Sequence, residues 1–129
     1  MFSGRKAATD KQVSGDAAEA RALAHLRERG LVLVERNYRV ARGPNLRGGE
    51  IDLIVREHDG TLVFVEVRVR ANLRHGGAAA SVGAAKRASL VLAARHYLRR
   101  FASPPPCRFD VVAIDNAQLE WLQGAFDAS

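Results

Sequence analysis

Cysteine is nearly absent from this chain, which has Cys107 and no other thiol among its 129 residues. A single cysteine excludes an internal disulfide framework and a multi-cysteine metal site. Long apolar runs are missing as well, since no stretch approaches the roughly 18 residues of a membrane-spanning helix. The N-terminal segment lacks the apolar core of a signal peptide. We therefore expect a cytoplasmic protein with no membrane partner.

Lysine is scarce, and arginine supplies most of the positive charge. The chain has 20 basic and 14 acidic residues, a formal net charge of +6, and its lysines are Lys6, Lys11 and Lys86. Arginine is suited to bidentate recognition of phosphate. This composition favours a polyanion such as nucleic acid as partner, although an arginine bias can also reflect genome composition.

The most informative stretch runs from residue 48 to residue 70, where two apolar segments flank a turn sequence at residues 57–60. Both segments are rich in β-branched residues, so the pattern predicts a β-hairpin. Successive side chains on a strand point to opposite faces. We therefore expect Ile51, Leu53 and Val55 to share one apolar face with the valines of the second strand.

The length of the turn decides which side chains oppose each other. A two-residue turn would place Asp52 opposite Val67, whereas a three-residue loop with Gly60 left-handed places Asp52 opposite Glu66. We predict the three-residue loop, because the shorter turn would mix a carboxylate into the apolar face. Opposed Cβ atoms lie about 4.5–5.5 Å apart. Like charges at that distance are destabilising unless a positive group lies between them, and a divalent cation is the simplest candidate.

The sequence Gly-Glu-Ile-Asp-Leu-Ile, followed by Val-Phe-Val-Glu-Val-Arg, resembles the YraN family of small bacterial proteins. That family is similar to the PD-(D/E)xK nucleases and, among them, to the archaeal Holliday-junction resolvases. The resemblance extends from about Gly15 to Phe126. It implies a restriction-endonuclease-like core and a metal-dependent endonuclease that hydrolyses phosphodiesters in branched or structured DNA. It also implies a homodimer, because a four-way junction needs two symmetric cuts.

The resemblance implies roles for individual residues of the hairpin. Asp52 and Glu66 would bind Mg²⁺ or Mn²⁺, with the backbone carbonyl of Val67 as a third ligand. Arg68 stands where these nucleases carry a lysine. Arginine can stabilise a transition state, but it stays charged and cannot share the proton of an attacking water. Glu50 would be an accessory acid that either pairs with Arg68 across the hairpin or assists the metal.

Glu19 and Lys86 have two interpretations each. Glu19 lies in a helix predicted from about Asp16 to Arg29, where it can complete a capping box. The resemblance implies instead that it reaches the acidic end of the hairpin and binds a metal water or a second ion. Lys86 starts the apolar stripe of a second helix, predicted from about Ser81 to Phe101. Its ammonium can extend to solvent or, as the resemblance implies, enter the acidic cluster.

Four arginines are expected to contact nucleic acid near the charged end of the hairpin: Arg42, Arg47, Arg70 and Arg74. Arg42 and Arg47 lie in a glycine-containing loop before Glu50, and Arg74 lies in a second loop that follows Arg70. The first loop can be a flap over the substrate or a plain connector, and both interpretations stand.

The predicted elements are a helix, three strands, a long helix and two strands. This order, with a central hairpin that is largely apolar, predicts an α/β fold with a mixed sheet of about five strands flanked by helices. One strand is predicted from Cys107 to Ile114, with Cys107 in the core. Residues 1–13 are expected to be a flexible basic tail, residues 14–126 a single domain, and residues 127–129 a C-terminal tail.

Three functions are consistent with these observations, and we rank them in the order given. A metal-dependent DNA endonuclease is favoured by the pair of Asp52 and Glu66 beside basic loops. A non-catalytic nucleic-acid-binding module on the same fold is favoured by Arg68 and the excess of arginine. A protein-interaction scaffold would use the acids only to pair with Arg68 and Lys86. Salt-sensitive binding without metal would indicate the second function.

Overall fold

The computed structural model describes residues 3–44, 48–70, 82–116 and 118–128, with the backbone alone for residues 3–14. The elements in this part of the chain are α1 (Ser3–Glu28), β1 (Val32–Val40), β2 (Gly49–Arg56), β3 (Leu62–Val69), α2 (Ala84–Leu98), β4 (Cys107–Ile114) and β5 (Leu119–Phe126). The order α-β-β-β-α-β-β is the predicted one.

The five strands form one mixed sheet in the order β1-β2-β3-β4-β5. Neighbouring strands are antiparallel except β3 and β4, which are parallel. Parallel strands require a crossover connection, and α2 supplies it. The predicted α/β fold with a mixed five-stranded sheet is therefore confirmed.

The helices cover opposite faces of the sheet. α1 packs onto an apolar cluster that contains Val63 and Val65 of β3. α2 packs onto a second cluster, which contains Ile54 and Phe64. β3 alternates between the two clusters because both of its faces are covered, which is why its sequence is almost continuously apolar. No helix in the described ranges is both long and apolar enough to cross a membrane.

The β2–β3 hairpin has the predicted three-residue loop. Leu53 pairs with Val65, and continuing that register places Asp52 opposite Glu66. Gly60 has a φ of +95°, the left-handed conformation that glycine adopts without steric cost. Local turn chemistry thus fixes the register on which the acid pair depends.

The ends of three elements differ from the prediction. α1 begins at Ser3 rather than near Asp16, so helical backbone covers most of the segment expected to be a tail. α2 begins after an N-cap at Gly83 and ends at Leu98 rather than Phe101, while Ser81, the predicted start, lies outside the described residues. β5 extends to Phe126, whereas the sequence predicts a shorter strand from Gln118 to Leu122. The division into basic tail, domain and C-terminal tail stays a prediction.

Candidate functional site

Asp52 lies where the hydrogen-bonded pairing between β2 and β3 ends. The β2–β3 ladder ends at Leu53 and Val65, whereas β3 pairs with β4 as far as Val69. Beyond the ladder, Oδ2 of Asp52 accepts a hydrogen bond of 2.8 Å from the N–H of Val67. The side chain thus replaces a strand partner, and this bond fixes the position of its carboxylate.

Glu66 lies beside Asp52 and is 2% exposed. Burial first, and then the charge of Asp52 and a hydrogen bond with it, raise the pKa of Glu66 to about 8. Within the described part of the chain, its Oε1 is buried and has no hydrogen-bond partner. A desolvated carboxyl with one unused oxygen is costly unless a cation compensates it.

Two cationic side chains approach the other oxygen of Glu66. Oε2 lies 3.4 Å from Nη1 of Arg68 and 3.6 Å from Nζ of Lys86. Arg68 is two residues along β3 and therefore on the same face, while Lys86 comes from the first turn of α2. The ammonium of Lys86 therefore reaches the acidic cluster, which is the second of its two predicted interpretations.

Glu19 faces the same cluster from α1. Burial and, after it, the charge of Asp52 raise the pKa of Glu19 above its ordinary value. Arg36 lies 3.7 Å from its Oε1 and opposes that shift. The capping-box interpretation is wrong, because α1 begins at Ser3 and Asp16 lies well inside the helix.

Glu50 has a different partner from the predicted one. It pairs in register with Arg39 of β1, and Nε of Arg39 lies 3.2 Å from its Oε2. The interpretation in which Glu50 pairs with Arg68 is therefore wrong, since Arg68 is engaged with Glu66. The N–H of Glu50 donates a 3.2 Å hydrogen bond to Oγ of Ser89 on α2.

Asn37 also belongs to this site, although the sequence did not predict it. It lies in β1 between Arg36, which pairs with Leu53, and Tyr38, which pairs with Ile51, so it stands opposite Asp52. It has a φ of +51° and is the single non-glycine residue with positive φ in the described ranges. A hydrogen bond from Asn37 lowers the pKa of Glu19. Asparagine is one of the few residues that adopt a left-handed backbone conformation readily. An asparagine inside a predicted strand was therefore the only sign of this conformation in the sequence.

The left-handed Asn37 coincides with a change of face in both strands. Arg36 contacts Glu19 on the α1 side, whereas the hydroxyl of Tyr38 lies 2.6 Å from Nδ1 of His96 on the α2 side. In β2, Ile51 belongs to the cluster under α2 and Leu53 to the cluster under α1. The prediction that Ile51 and Leu53 share a face is therefore wrong.

Two open clefts lie on either side of the ion pair of Arg39 and Glu50, and both residues line both clefts. The acidic cleft, of about 550 Å³, is completed by Gly15, Asp16, Glu19 and Asn37. The basic cleft, of about 750 Å³, is completed by Val40, Ala41, Arg42, Gly43, Gly48, Gly49, Ala85, Lys86 and Ser89. Asp52 and Glu66 line neither cleft. Glu19 connects the acidic cleft to them, and Lys86 connects the basic cleft.

The arginines expected to contact nucleic acid have different outcomes. Arg42 lines the basic cleft. Arg70 is exposed at the end of β3, and its N–H donates a 2.8 Å hydrogen bond to the carbonyl of Ile114. Arg47 and Arg74 lie outside the described residues. Their contacts with nucleic acid stay predictions.

The acid pair fits a hard divalent cation by its donor chemistry. Among the described residues there is no group of three or more His, Cys, Asp or Glu side chains that could hold a metal ion. Magnesium does not need such a group, because it is usually bound through one or two carboxylates and keeps several waters. The unpartnered Oε1 of Glu66 and the charge of Asp52 are what a cation would neutralise. The carbonyl of Val67 as a ligand stays a prediction.

Comparison with known proteins adds a family to this geometry. A family model described as "Uncharacterised protein family UPF0102" matches residues 18–114. A UPF0102 protein of Methylibium petroleiphilum is 68% identical over 115 residues, which are 89% of this chain and 94% of the relative. One from Paracidovorax citrulli is 61% identical over 120 residues, 93% of this chain and 87% of the relative. One from Acidovorax sp. is 57% identical over 126 residues, which cover 98% of this chain and 93% of the relative.

The matched range spans all the side chains of the acidic cluster, from Glu19 to Lys86. This assignment agrees with the resemblance to the YraN family. The chain belongs to the UPF0102 family.

Proposed function

We propose that this protein is a metal-dependent endonuclease that hydrolyses phosphodiester bonds in branched or structured DNA. The observation that carries the proposal is the close pair of Asp52 and Glu66 where the β2–β3 pairing ends. One carboxyl of this pair is buried with an unpartnered oxygen, and two cationic side chains lie against it. We propose the cytoplasm as its compartment.

A bound Mg²⁺ or Mn²⁺ would lower the pKa of a water, neutralise charge on the phosphate and stabilise the leaving oxygen. Asp52 is prepared to hold such an ion because the N–H of Val67 fixes its carboxylate. Glu66 must lose its proton to bind a cation, and its raised pKa makes this step dependent on pH.

Lys86 and Arg68 would stabilise the negative charge that develops on the phosphate. Both already lie within 4 Å of Oε2 of Glu66, so they need little rearrangement to face a substrate there. The amine of Lys86 can also hold or give a proton at Nζ, which the guanidinium of Arg68 cannot. In this proposal Lys86 supplies what the Glu-x-Arg sequence of β3 lacks.

A second candidate is a nucleic-acid-binding module without turnover. The observation that favours it is the pKa of Glu66, about 8, because a carboxyl that keeps its proton at neutral pH is a poor metal ligand. Arg68 in place of a lysine points in the same direction. This candidate predicts metal-independent binding that weakens with salt.

Calorimetric titration with Mn²⁺ separates the two candidates. We expect wild type to bind Mn²⁺, and we expect Asp52→Asn and Glu66→Gln each to lose that binding because one of the two carboxylate ligands becomes neutral. Glu28→Gln is the matched control, since it removes a carboxylate from an exposed position at the end of α1.

Cleavage of a four-way junction and of a flapped duplex should then be measured at saturating Mn²⁺. Activity that is lost in Asp52→Asn and kept in Glu28→Gln would support the nuclease. Equal Mn²⁺ binding by all four proteins would refute it. Paired cuts in a junction would require a homodimer, and the molar mass in solution tests that expectation.

A further inference from the structure

The basic cleft carries more positive than negative charge. Its charged lining residues are Arg39, Arg42 and Lys86 against the single carboxylate of Glu50. Its volume of about 750 Å³ is within the usual range of roughly 300–1,000 Å³ for ligand sites. An anion of the size of a nucleotide phosphate therefore fits it in both volume and charge.

The cations of the cleft are available to a ligand. Arg39 is 72% exposed, and its partner Glu50 is 38% exposed; a pair so exposed contributes little to stability and is exchanged easily. Arg42 is exposed and forms no ion pair with another residue of the described ranges. Two guanidinium groups can thus turn towards a phosphate without breaking a buried interaction.

The remaining walls of the cleft include groups that can contact a phosphate. Gly48 and Gly49 line it, and Ser89 offers a hydroxyl that already accepts a hydrogen bond from the N–H of Glu50. That hydroxyl retains a hydrogen to donate to a ligand. Phosphate groups are commonly held by this combination of arginine, hydroxyl and glycine backbone.

Lys86 joins the cleft to the acidic site. It lines the cleft, and its Nζ lies 3.6 Å from Oε2 of Glu66. The side chain of Lys86 could therefore contact both a phosphate bound in the cleft and the carboxyl of Glu66.

From these observations we infer that the basic cleft is a binding subsite for a phosphate of a nucleic-acid strand, with Arg39, Arg42 and Lys86 as its cationic contacts. The subsite holds the strand so that a neighbouring phosphodiester faces Asp52 and Glu66. That the bound strand is also the one to be cut rests on the proposed function, whereas phosphate binding in the cleft does not depend on it.

Nuclear magnetic resonance with ¹⁵N-labelled protein tests the inference without metal or cleavage. The protein in EDTA is titrated with a thymidine tetranucleotide and, separately, with inorganic phosphate. We expect the tetranucleotide to shift the amide signals of Gly48, Gly49, Ala85 and Ser89. We expect Arg42→Ala to weaken its binding about tenfold, because a charge-assisted bidentate contact is lost.

Arg29→Ala is the matched control, because it removes the same charge from an exposed position in a different cleft. It should leave the affinity for the tetranucleotide unchanged within about twofold. The affinity of Arg42→Lys should lie between those of Arg42→Ala and wild type. If Arg29→Ala weakens binding as much as Arg42→Ala, the attraction is diffuse and the subsite is refuted. If inorganic phosphate binds as tightly as the tetranucleotide, the cleft recognises free phosphate and the strand is refuted.

The two proposals can fail separately. A protein that binds the tetranucleotide in the cleft but no Mn²⁺ at the acid pair would refute the nuclease and retain the subsite. A protein that binds Mn²⁺ and cleaves DNA without shifts at the cleft amides would refute the subsite and retain the nuclease.

Discussion

Glu66 is a carboxyl group that favours its proton at neutral pH, because it is buried beside Asp52. Its pKa is raised to about 8 from an ordinary value of 4.5. A group whose pKa is higher in the folded state contributes stability that is fully present below the unfolded pKa. That contribution is lost as the pH rises through the folded pKa, so the relevant window lies between about pH 4.5 and pH 8.

We therefore expect Glu66→Gln to become more stable relative to wild type as the pH rises through this window. The glutamine cannot ionise, so it avoids the buried charge, and the relative free energy of unfolding should change by more than about 1 kcal/mol. Urea unfolding in EDTA at pH 5 and pH 9 measures the change. Glu28→Gln, at an exposed site, should show no such trend. A pH-independent difference for Glu66→Gln would show that the carboxyl titrates normally.

Asn37 combines an unusual backbone conformation with a hydrogen bond to Glu19. We expect Asn37→Val to destabilise the protein by about 1–3 kcal/mol, because a β-branched residue is strained at a φ of +51°. Asn37→Gly keeps the conformation and should cost much less. Both variants should raise the pKa of Glu19, since each lacks the hydrogen bond that lowers it.

Urea unfolding and carboxyl ¹³C titration follow the two effects of Asn37 separately. Equal stability of Asn37→Val and Asn37→Gly would mean that the left-handed conformation is not required. A Glu19 pKa that stays at its wild-type value in both variants would mean that the hydrogen bond is unimportant.

At the scale of elements, β2 and α2 approach each other so closely that only glycine fits at position 49. A Cβ there would lie 2.6 Å from the carbonyl oxygen of Ser89 and 2.7 Å from the N of Ala93. Because both atoms belong to the backbone of α2, the helix would have to move. We expect Gly49→Ala to destabilise the protein by about 1–3 kcal/mol and to weaken Mn²⁺ binding by shifting β2.

Gly15→Ala is the contrasting substitution for Gly49→Ala. Gly15 lies inside α1, and a Cβ there meets nothing within 4 Å. The substitution Gly15→Ala should therefore stabilise the protein by about 0.5–1 kcal/mol, because alanine is favoured over glycine inside a helix. Thermal unfolding measures both variants, and a neutral Gly49→Ala would contradict the close approach.

The elements that could be predicted from sequence are those set by local patterns. The three-residue loop follows from Gly60 and the hairpin pattern, and β4 was predicted with its observed ends because an apolar run follows three prolines. The beginning of α1 was missed because residues 3–13 have no apolar stripe to indicate a helix. Cys107 was placed in the core from its residue type, yet it is exposed because it is the first residue of its strand.

Within the site, Asp52, Glu66 and Lys86 could be predicted, whereas Asn37 and Arg39 could not. The first three follow from hairpin register, helix spacing and the family resemblance. Asn37 and Arg39 depend on the register between β1 and β2, which no local sequence pattern indicated. The face change at Asn37 also breaks the regular alternation on which any reading of strands relies.

At the scale of the whole molecule, Asp110 of β4 is the centre of a polar network that reaches β5 and the β2–β3 hairpin. This buried carboxylate accepts hydrogen bonds from Nε of Arg108 at 3.0 Å, Nε1 of Trp121 at 2.9 Å and the N–H of Gly124 at 2.9 Å. Arg108 in turn donates to Glu57 beside the hairpin loop. The network joins β4 and β5 to the β2–β3 hairpin and has no unused oxygen on Asp110.

We expect Asp110→Ala to destabilise the protein by about 3 kcal/mol or more, because it removes a buried carboxylate and leaves Arg108, Trp121 and the N–H of Gly124 without their partner. Trp121→Phe removes one hydrogen bond and should cost about 1–2 kcal/mol. Urea unfolding measures both effects. Mn²⁺ binding by folded Asp110→Ala should match wild type, and its loss would place Asp110 in the functional site.

The strand order of the sheet has a consequence for the kinetics of folding. β1–β2, β2–β3 and β4–β5 join strands that are consecutive in the chain, and of the pairings described only β3–β4 spans α2. Pairings of small sequence separation need less loop-closure entropy and form earlier. In pulse-labelled hydrogen exchange we expect the amides of β1–β3 to be protected before the β3–β4 pairing forms. The two carboxylates would then meet early, before the last strands have made the sheet complete.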